Sequence, residues 1–430
     1  MKNSFRLVPA VLLIAAGVAS YALTPNDHAS VVSALDAVDS ESTSLYCAAG
    51  GSHAAASSIR LWNSASVSRH VSATLSSTKG SNHAEWDIKA HHSIWFRPSD
   101  LVGGDDTTAR ITSDGGGVVG AQASTSAAGS GIGCQSRGVT SWYAAGLDTQ
   151  QGATVHAVLL NPTATPTVVN VSTWSSLGFL QPAAYTGLVI PALSQVTLSL
   201  DHVLVNASHL SVAVTALRGN FVAAVTSQLG ANVSLIAGTT SPQLRQLYPT
   251  VPTDTVQNDT LEVFNPGETS ARVTVKVRIP GFSVTPFELV VGPSSFGSQV
   301  IVPNTRIPAA SVAVIDVSST APIVTTMRLT RSGAVTVMSP PPLVNEVAYI
   351  QNDAKPDAVR VATSSPTTVT FVWREGSLER TAQIKSQPSG VPAPAAWLAA
   401  GRGTVSADIP IAVQSVRKVT SYEAALDPRQ

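Results

Sequence analysis

The residues best suited to chemistry lie together in one stretch, residues 81–96, SNHAEWDIKAHHSIWF. Histidines and carboxylates of this kind transfer protons or bind metal ions near neutral pH. Period-two alternation places polar residues on one face of a strand and apolar residues on the other. The polar face holds His83, Glu85, Asp87, Lys89 and His91, and the apolar face holds Trp86, Ile88, Ala90, Ile94 and Phe96.

This stretch has two interpretations. An acid–base or metal site built from residues 83–92 would make the protein an extracytoplasmic hydrolase. An amphipathic strand or hairpin with a core face and a wet face explains the same pattern. Lys89, in the middle of the polar row, would repel a bound cation. The sequence therefore favours the structural interpretation, and we assign no catalytic, cofactor-binding or metal-binding residue and no enzymatic activity.

Other motifs lack the elements that their chemistry needs. Residues 115–120 spell Gly-x-Gly-x-x-Gly, but no helical pattern follows them, as a dinucleotide site requires. Residues 76–79 and 415–418 have Ser-x-x-Lys spacing outside any helical pattern. Asp105 and Asp106 lack the spacing of a calcium-binding loop, so we expect them in a solvated turn.

The elements that would position such residues are strands in a long repeat. Residues 156–174, HAVLLNPTATPTVVNVSTW, are mostly apolar up to an Asn-Pro step at Asn161 and continue after it with alternating valines. Residues 260–278, TLEVFNPGETSARVTVKVR, do the same around Asn265. Proline lacks the N–H that continues a ladder and restricts the residue before it, so each strand must end there. We interpret the Asn-Pro step as a hairpin corner, with no catalytic role.

Further landmarks recur in the same order. Tyr143 falls near Tyr248, and the closing segments 219–228 and 320–329 resemble each other. Repeats of about 100 residues with short strands and frequent turns are typical of immunoglobulin-like sandwiches. The inward-facing residues that correspond are Val169 with Val273, Val171 with Val275, and Thr173 with Val277.

We therefore predict an all-β fold with tandem immunoglobulin-like β-sandwich domains after an N-terminal signal or anchor segment. The last copy is degenerate, because residues 385–403 are too rich in proline and glycine for a regular core. Whether the first domain is another sandwich or a different β domain stays open. The predicted divisions are a signal peptide or signal anchor (1–23), a linker (24–44), an N-terminal β domain with a disulfide (45–138), and sandwich repeats at 139–245, 246–345 and 346–430.

The N-terminus indicates export. Lys2 and Arg6 precede an uncharged apolar stretch over residues 7–23, with small residues near its end, as in a secretory signal. The alternative is an uncleaved membrane anchor, since the stretch is near the lower length limit for crossing a bilayer. In either case the positive end stays inside and the rest is extracytoplasmic or secreted.

The two cysteines agree with that compartment. Cys47 and Cys134 are the only cysteines in the chain. A disulfide between them is the natural expectation in an oxidising environment. Two separate buried thiols are the alternative, because sequence alone does not give the distance between their Cα atoms.

Composition narrows the choice of partner. Lys and Arg total 26, as do Asp and Glu, and aromatic residues make up 5%, so neither a basic footprint nor a base-stacking platform for nucleic acid is indicated. Repeated domains with exposed edges favour a non-enzymatic structural or interaction protein of the cell envelope, with an envelope protein as partner. The alternative is a module that binds envelope polysaccharide through Trp86, Trp95 or Trp142. Membrane contact would involve the N-terminal segment only.

The segment that begins at Cys134, CQSRGVTSWYAAGLDTQQGATVHAVLLNP, carries a family resemblance. It resembles exported, N-terminally membrane-anchored actinobacterial proteins that are catalogued as a domain of unknown function. The resemblance implies an envelope protein of unknown biochemical activity and brings no catalytic residues. The matching positions are Cys47, Cys134, the aromatic pair Trp142-Tyr143, the Gly-containing step Ala145-Gly146, and residues 160–162 before a valine-rich strand.

Overall fold

The computed structural model describes residues 31–32, 43–48, 57–124, 130–230, 232–253, 258–302, 305–308, 312–331, 334–350 and 358–416. Strands dominate these residues, so the prediction of an all-β protein is confirmed. The signal or anchor segment 1–23 lies outside them, as does most of the linker. None of the helices within these ranges is long and apolar enough to cross a membrane.

Unit 1 has two sheets that enclose one hydrophobic core. The sheet orders are β2-β7-β4-β5 and β1-β9-β8-β3-β6. The disulfide between Cys47 and Cys134 joins the end of β2 to the residue after β9, and so links the two sheets. The elements are β1 (Val31–Val32), β2 (Ser44–Cys47), β3 (Ser57–Asn63), β4 (Arg69–Ser77), β5 (Gly80–Ile88), β6 (Ser93–Phe96), helix α1 (Pro98–Val102), β7 (Thr108–Ser113), β8 (Val118–Ser124) and β9 (Ser130–Gly133).

Unit 2 also has two sheets around one core, ordered β10-β16-β12-β13, with β14 also on β12, and β15-β11-β17-β18. The inward-facing residues of β12 are buried, as the valine alternation predicts. The elements are β10 (Ser141–Leu147), β11 (Ala153–Leu160), β12 (Thr167–Ser175), β13 (Gly178–Leu180), a 3-10 turn (Ala183–Tyr185), β14 (Leu188–Ile190), β15 (Gln195–Ser199), helix α2 (Leu200–Val203), β16 (Leu210–Arg218), β17 (Val222–Leu229) and β18 (Asn232–Ile236).

Unit 3 is held together by one long strand, β25. Its first half pairs with β19 and β21, and its second half pairs with β20 and β26. The elements are β19 (Gln243–Pro252), β20 (Asn258–Asn265), β21 (Ala271–Ile279), β22 (Phe282–Ser283), β23 (Phe287–Val291), β24 (Ser295–Val302), β25 (Val312–Arg331) and β26 (Ala334–Met338).

Unit 4 is one sheet closed by a short helix. Residues 385–403 were expected to be too rich in proline and glycine for a regular core. That expectation was wrong, because Trp397 in this segment is fully buried against Tyr349 and Phe371. The elements are β27 (Val344–Ile350), β28 (Ala358–Thr363), β29 (Thr368–Glu375), β30 (Leu378–Lys385), β31 (Val391–Pro392), helix α3 (Ala395–Ala400) and β32 (Arg402–Val416).

The same strand pairing recurs in units 1 to 3, and part of it recurs in the described strands of unit 4. In unit 2, β16 pairs with β10 and β12, while β17 pairs with β11 and β18. In unit 1, β7 pairs with β2 and β4, while β8 pairs with β3 and β9. In unit 4, β32 pairs with β27 and β29 through its first half and with β28 through its second. The first unit, left open by the sequence, therefore has the same pairing as units 2 and 3.

A buried asparagine closes the same corner in units 1 to 3. The Nδ2 group of Asn161 donates to the carbonyls of Thr165, Ile190 and Pro191 at 2.8, 3.1 and 3.1 Å. Asn63 and Asn265 repeat this arrangement. In each case Oδ1 accepts the backbone N–H two residues further on. The asparagine side chain thus substitutes for backbone partners at the end of a strand.

The corner is not a hairpin, contrary to the prediction. The strands on its two sides, β11 and β12, pair with different partners and belong to opposite sheets. The Asn-Pro step therefore carries the chain from one sheet to the other. The repeat alignment was also one residue out at its start, since β-pairing matches Tyr248 with Ala144 rather than with Tyr143. Tyr248 is consequently a core residue, whereas Tyr143 is only half-buried.

The units form a closed cycle of contacts. Units 1 and 4, far apart in the sequence, share a buried apolar cluster, as does each pair of consecutive units. The clusters contain Ala48, Ile132, Val222 and Leu235 between units 1 and 2; Ala145, Phe264 and Val324 between units 2 and 3; Leu247, Val314, Ala362 and Ala412 between units 3 and 4; and Trp62, Val119, Ala121 and Ala348 between units 4 and 1.

Candidate functional site

The histidine- and carboxylate-rich stretch is the wet face of a strand. On β5, His83, Glu85 and Asp87 face solvent, and Trp86 packs inward, stacked on Phe96 with ring centroids 4.6 Å apart. The polar row ends earlier than predicted, because β5 stops at Ile88 and the chain turns before β6. No group of His, Cys, Asp and Glu in the described ranges is arranged to hold a metal ion.

The three tryptophans considered as sugar platforms differ sharply in exposure. Trp142 is 1% exposed, and its indole N–H donates to the Ala237 carbonyl at 2.6 Å. Trp86 is half-buried, whereas Trp95 is 53% exposed with the Arg97 guanidinium 5.9 Å from its ring centroid. Of the three, only Trp95 is therefore more exposed than buried.

Trp142 instead contributes to a junction between units 1, 2 and 3, next to the segment that leads into unit 4. A cavity of about 240 Å³ there is lined by Gln135, Trp142, Arg245 and Pro341, among others. Gly238 adopts φ +66°, and a Cβ atom at that position would lie 2.5 Å from the Trp142 ring. Trp142, the first residue of the aromatic pair, thus has a structural role at this junction.

Asp106 is not in a solvated turn, contrary to expectation. It is 3% exposed, and its carboxylate oxygens lie 3.0 and 2.9 Å from Nδ1 of His156 on β11. Gln195 donates to the Asp106 carbonyl oxygen at 2.7 Å. Unit 1 is thereby bonded to unit 2 through the buried Asp106 carboxylate and the partly buried His156 imidazole.

This pair makes the stability of the protein depend on pH. The hydrogen bond that His156 donates to the Asp106 carboxylate raises the pKa of His156 despite its partial burial, and the charges of Asp106, Asp201 and Asp105 add to the effect. Since the folded-state pKa is raised above 6.5, the stabilisation is fully present below pH 6.5 and is lost as the pH rises through the folded-state pKa.

We expect the stability advantage of the wild type over His156→Gln to be larger at about pH 6 than at about pH 9. Urea unfolding at both pH values measures this difference. His92→Gln, at an exposed turn position, is the matched control and should show no such trend. An advantage of His156 that is equal at both pH values would contradict the prediction.

A second charged site lies in a cleft of about 310 Å³ between units 2 and 3, hereafter the 2–3 cleft. His209 Nδ1 lies 2.8 Å from Oε2 of Glu262, and Arg328 Nη1 lies 3.0 Å from Oδ2 of Asp148. Each pair joins one residue of unit 2 to one of unit 3. The lining residues are Gly146, Asp148, Gln150, Ser208, His209, Thr260, Glu262, Ser298, Val300 and Arg328.

The backbone of the 2–3 cleft is unusual in two places. His209 has φ +53°, a left-handed conformation that is uncommon for a side-chain-bearing residue. Gly146 has φ +70°, and a Cβ atom there would lie 3.2 Å from Cγ of Glu262. The Gly-containing step of the family pattern is therefore the point where unit 2 approaches Glu262 of unit 3.

An apolar patch lies on the hairpin between β12 and β13. Leu177 and Phe179 are 67% and 59% exposed, and Leu180 is also exposed. Trp174 at the base of the hairpin contacts Phe179 and Phe264, with ring centroids 5.2 and 4.8 Å away. The hairpin is thus anchored on unit 3 while its tip remains open to solvent.

The fold and these sites define a class: an all-β protein whose units pack against each other through buried apolar clusters, with a polar cleft at the boundary between units 2 and 3. The chain belongs to the family of unknown function DUF5719, whose model matches residues 99–390. The matched region begins in α1 and ends before α3, so it includes units 2 and 3 completely.

No curated protein matches the chain. Among solved structures, Thermotoga maritima 1070 is 16% identical over 23% of this chain and 90% of its own, with a TM-score of 0.20. A tetra-tandem repeat from the extending region of a large adhesion protein is 11% identical over 91% of this chain and all of its own, with a TM-score of 0.13.

Proposed function

We propose that this protein is a non-enzymatic interaction protein of the cell envelope, held outside the membrane by residues 1–23 or secreted through them. Its units would be immunoglobulin-like sandwiches, and its partner would be another envelope protein. The observation that carries the proposal is the exposed apolar tip of the β12–β13 hairpin, formed by Leu177, Phe179 and Leu180.

The surroundings of the hairpin support a protein contact. Exposed apolar residues in a group mark interaction sites more often than single ones do. The packing of Trp174 against Phe264 holds the tip on two units at once, which lowers the entropy lost on binding. The charged face of β5 and the buried Trp142 offer no comparable apolar surface.

Site-specific crosslinking tests the partner. Both native cysteines are in the disulfide, so a cysteine at Gln181, exposed beside the hairpin tip, would be the single free thiol. We expect a photoactivatable maleimide at this position to capture one discrete protein in cells, and Leu177→Ser in the same chain to abolish the product. Gln151→Cys, on an exposed turn elsewhere in unit 2, is the control. The same product from both positions, or none from position 181, would reject the proposed contact.

The same cysteine variant tests the compartment. A membrane-impermeant maleimide should label Gln181→Cys in intact cells to the same extent as after lysis. Labelling that requires lysis would show that the unit faces the cytoplasm, and the proposal of an extracytoplasmic protein would then be wrong.

A further inference from the structure

We propose that the 2–3 cleft is a binding site for a neutral saccharide. The proposal concerns a different surface from the β12–β13 hairpin and does not depend on the protein partner suggested above. It rests on the balance of charge in the cleft, on its density of hydrogen-bonding groups, and on the way in which two units form it.

The charges of the cleft are matched in pairs. The Asp148 carboxylate faces the Arg328 guanidinium at 3.0 Å, and the Glu262 carboxylate faces the His209 imidazole at 2.8 Å. A strongly charged ligand would have to compete with one of these existing partners. The arrangement therefore favours a neutral ligand that can hydrogen-bond to charged groups.

The hydrogen-bonding capacity exceeds what the pairs use. A guanidinium has five N–H donors, and Arg328 gives one of them, from Nη1, to Asp148. A carboxylate can accept about four hydrogen bonds, and Oε2 of Glu262 accepts from His209. Sugar hydroxyls both donate and accept, so adjacent hydroxyls can bridge an acceptor and a donor that already lie side by side. Hydrogen bonds to charged groups are the stronger kind.

The cleft also has a flat, partly exposed ring and hydroxyl-bearing walls. The His209 imidazole stacks on Phe296, with ring centroids 5.0 Å apart and planes at 13°, which fixes the orientation of the imidazole. Ser208, Thr260 and Ser298 line the walls. A rigid ring beside convergent polar groups is the usual composition of a small-molecule site, in which few polar groups fix orientation.

The strained backbone is a further sign of a functional site. The left-handed conformation of His209 costs free energy and persists only where the surroundings hold it in place. Here the Glu262 hydrogen bond and the Phe296 ring, both from unit 3, hold a residue of unit 2. The site exists only when the two units are docked, and a ligand that binds it would strengthen that docking.

Binding can be tested on the full chain with a printed array of neutral oligosaccharides, with sialylated and sulfated members as charge controls. We expect binding to neutral members only. Titration of the best neutral member should then give affinities at least about tenfold weaker for Glu262→Gln and Asp148→Asn than for wild type, since each removes a charged hydrogen-bond partner.

Two further variants distinguish loss of binding from loss of folding. Gln150→Ala and Ser298→Leu change exposed wall residues that belong to neither ion pair, and both should weaken binding while the thermal unfolding temperature stays unchanged. Glu288→Gln, an exposed position on β23, is the control and should bind like wild type. Absence of binding to every neutral member, or equal affinity in all of the cleft variants, would overturn the proposal.

Discussion

Replacing Asn161 with alanine is expected to lower the free energy of unfolding by about 3 to 4 kcal/mol. The substitution removes the donor for three carbonyls and the acceptor for the Thr163 N–H. Each buried polar group left without a partner costs about 1 to 3 kcal/mol, and water does not replace the side chain where Asn161 is fully buried. Urea unfolding followed by tryptophan fluorescence measures the loss.

The control for this prediction is Asn258→Ala, because Asn258 is exposed at the start of β20 and should be nearly neutral. Asn63→Ala and Asn265→Ala should behave like Asn161→Ala, since both side chains repeat its bonds. A loss below about 1 kcal/mol at Asn161 would mean that the corner is held by the proline and the strands rather than by the asparagine.

Removing the disulfide is expected to have the second large effect. Cys47 and Cys134 are separated by 87 residues in the sequence, and closing a loop of this length stabilises the folded state by about 4.5 kcal/mol in the chain-entropy model. The double variant Cys47→Ala/Cys134→Ala should lose about this amount in urea unfolding. Hydrogen exchange should become faster in β2 and β9 before it changes in unit 3, since the bond links the two sheets of unit 1.

A reducing agent provides the control for the disulfide. Reduced wild type should match the double variant, and the double variant itself should be insensitive to the reductant. Equal unfolding midpoints for oxidised and reduced wild type would contradict the prediction, because the bond would then contribute no stability.

Local patterns predicted the strands well and the contacts between them poorly. The valine rows of β12 and β21 are buried as expected, because inward and outward positions alternate along any strand with one core face. The proline is the visible signal of the corner in the sequence, but the buried asparagine makes its hydrogen bonds. Unit 1 was therefore not recognised as a copy: it has Asn63 followed by serine, without the proline that marked the other corners.

The candidate sites show even more clearly that local sequence patterns do not predict contacts between distant strands. Arg328 and Asp148 are 180 residues apart, and His209 and Glu262 are 53 apart, so no spacing in the sequence brings either pair together. Gly146 was the one residue of the 2–3 cleft with a signal, through the family resemblance. Residues 83–92 are the converse case. Their polar residues lie close together in the sequence, as in a functional site, but in the structure they lie on one outward strand face. There His83 contacts Glu85, and Asp87 contacts His70 of the neighbouring strand.

The sequence by itself determined the all-β class and the repeated Asn-Pro corner, because alternation and backbone restriction are local properties. It supplied two cysteines, but the structure showed that they pair. Tertiary structure alone decided that the units close into a cycle, that Asp106 is buried against His156, and that the 2–3 cleft exists. These features depend on which unit surfaces meet. That choice is made by burial of small apolar clusters distributed over the whole chain, which leave no periodic signal.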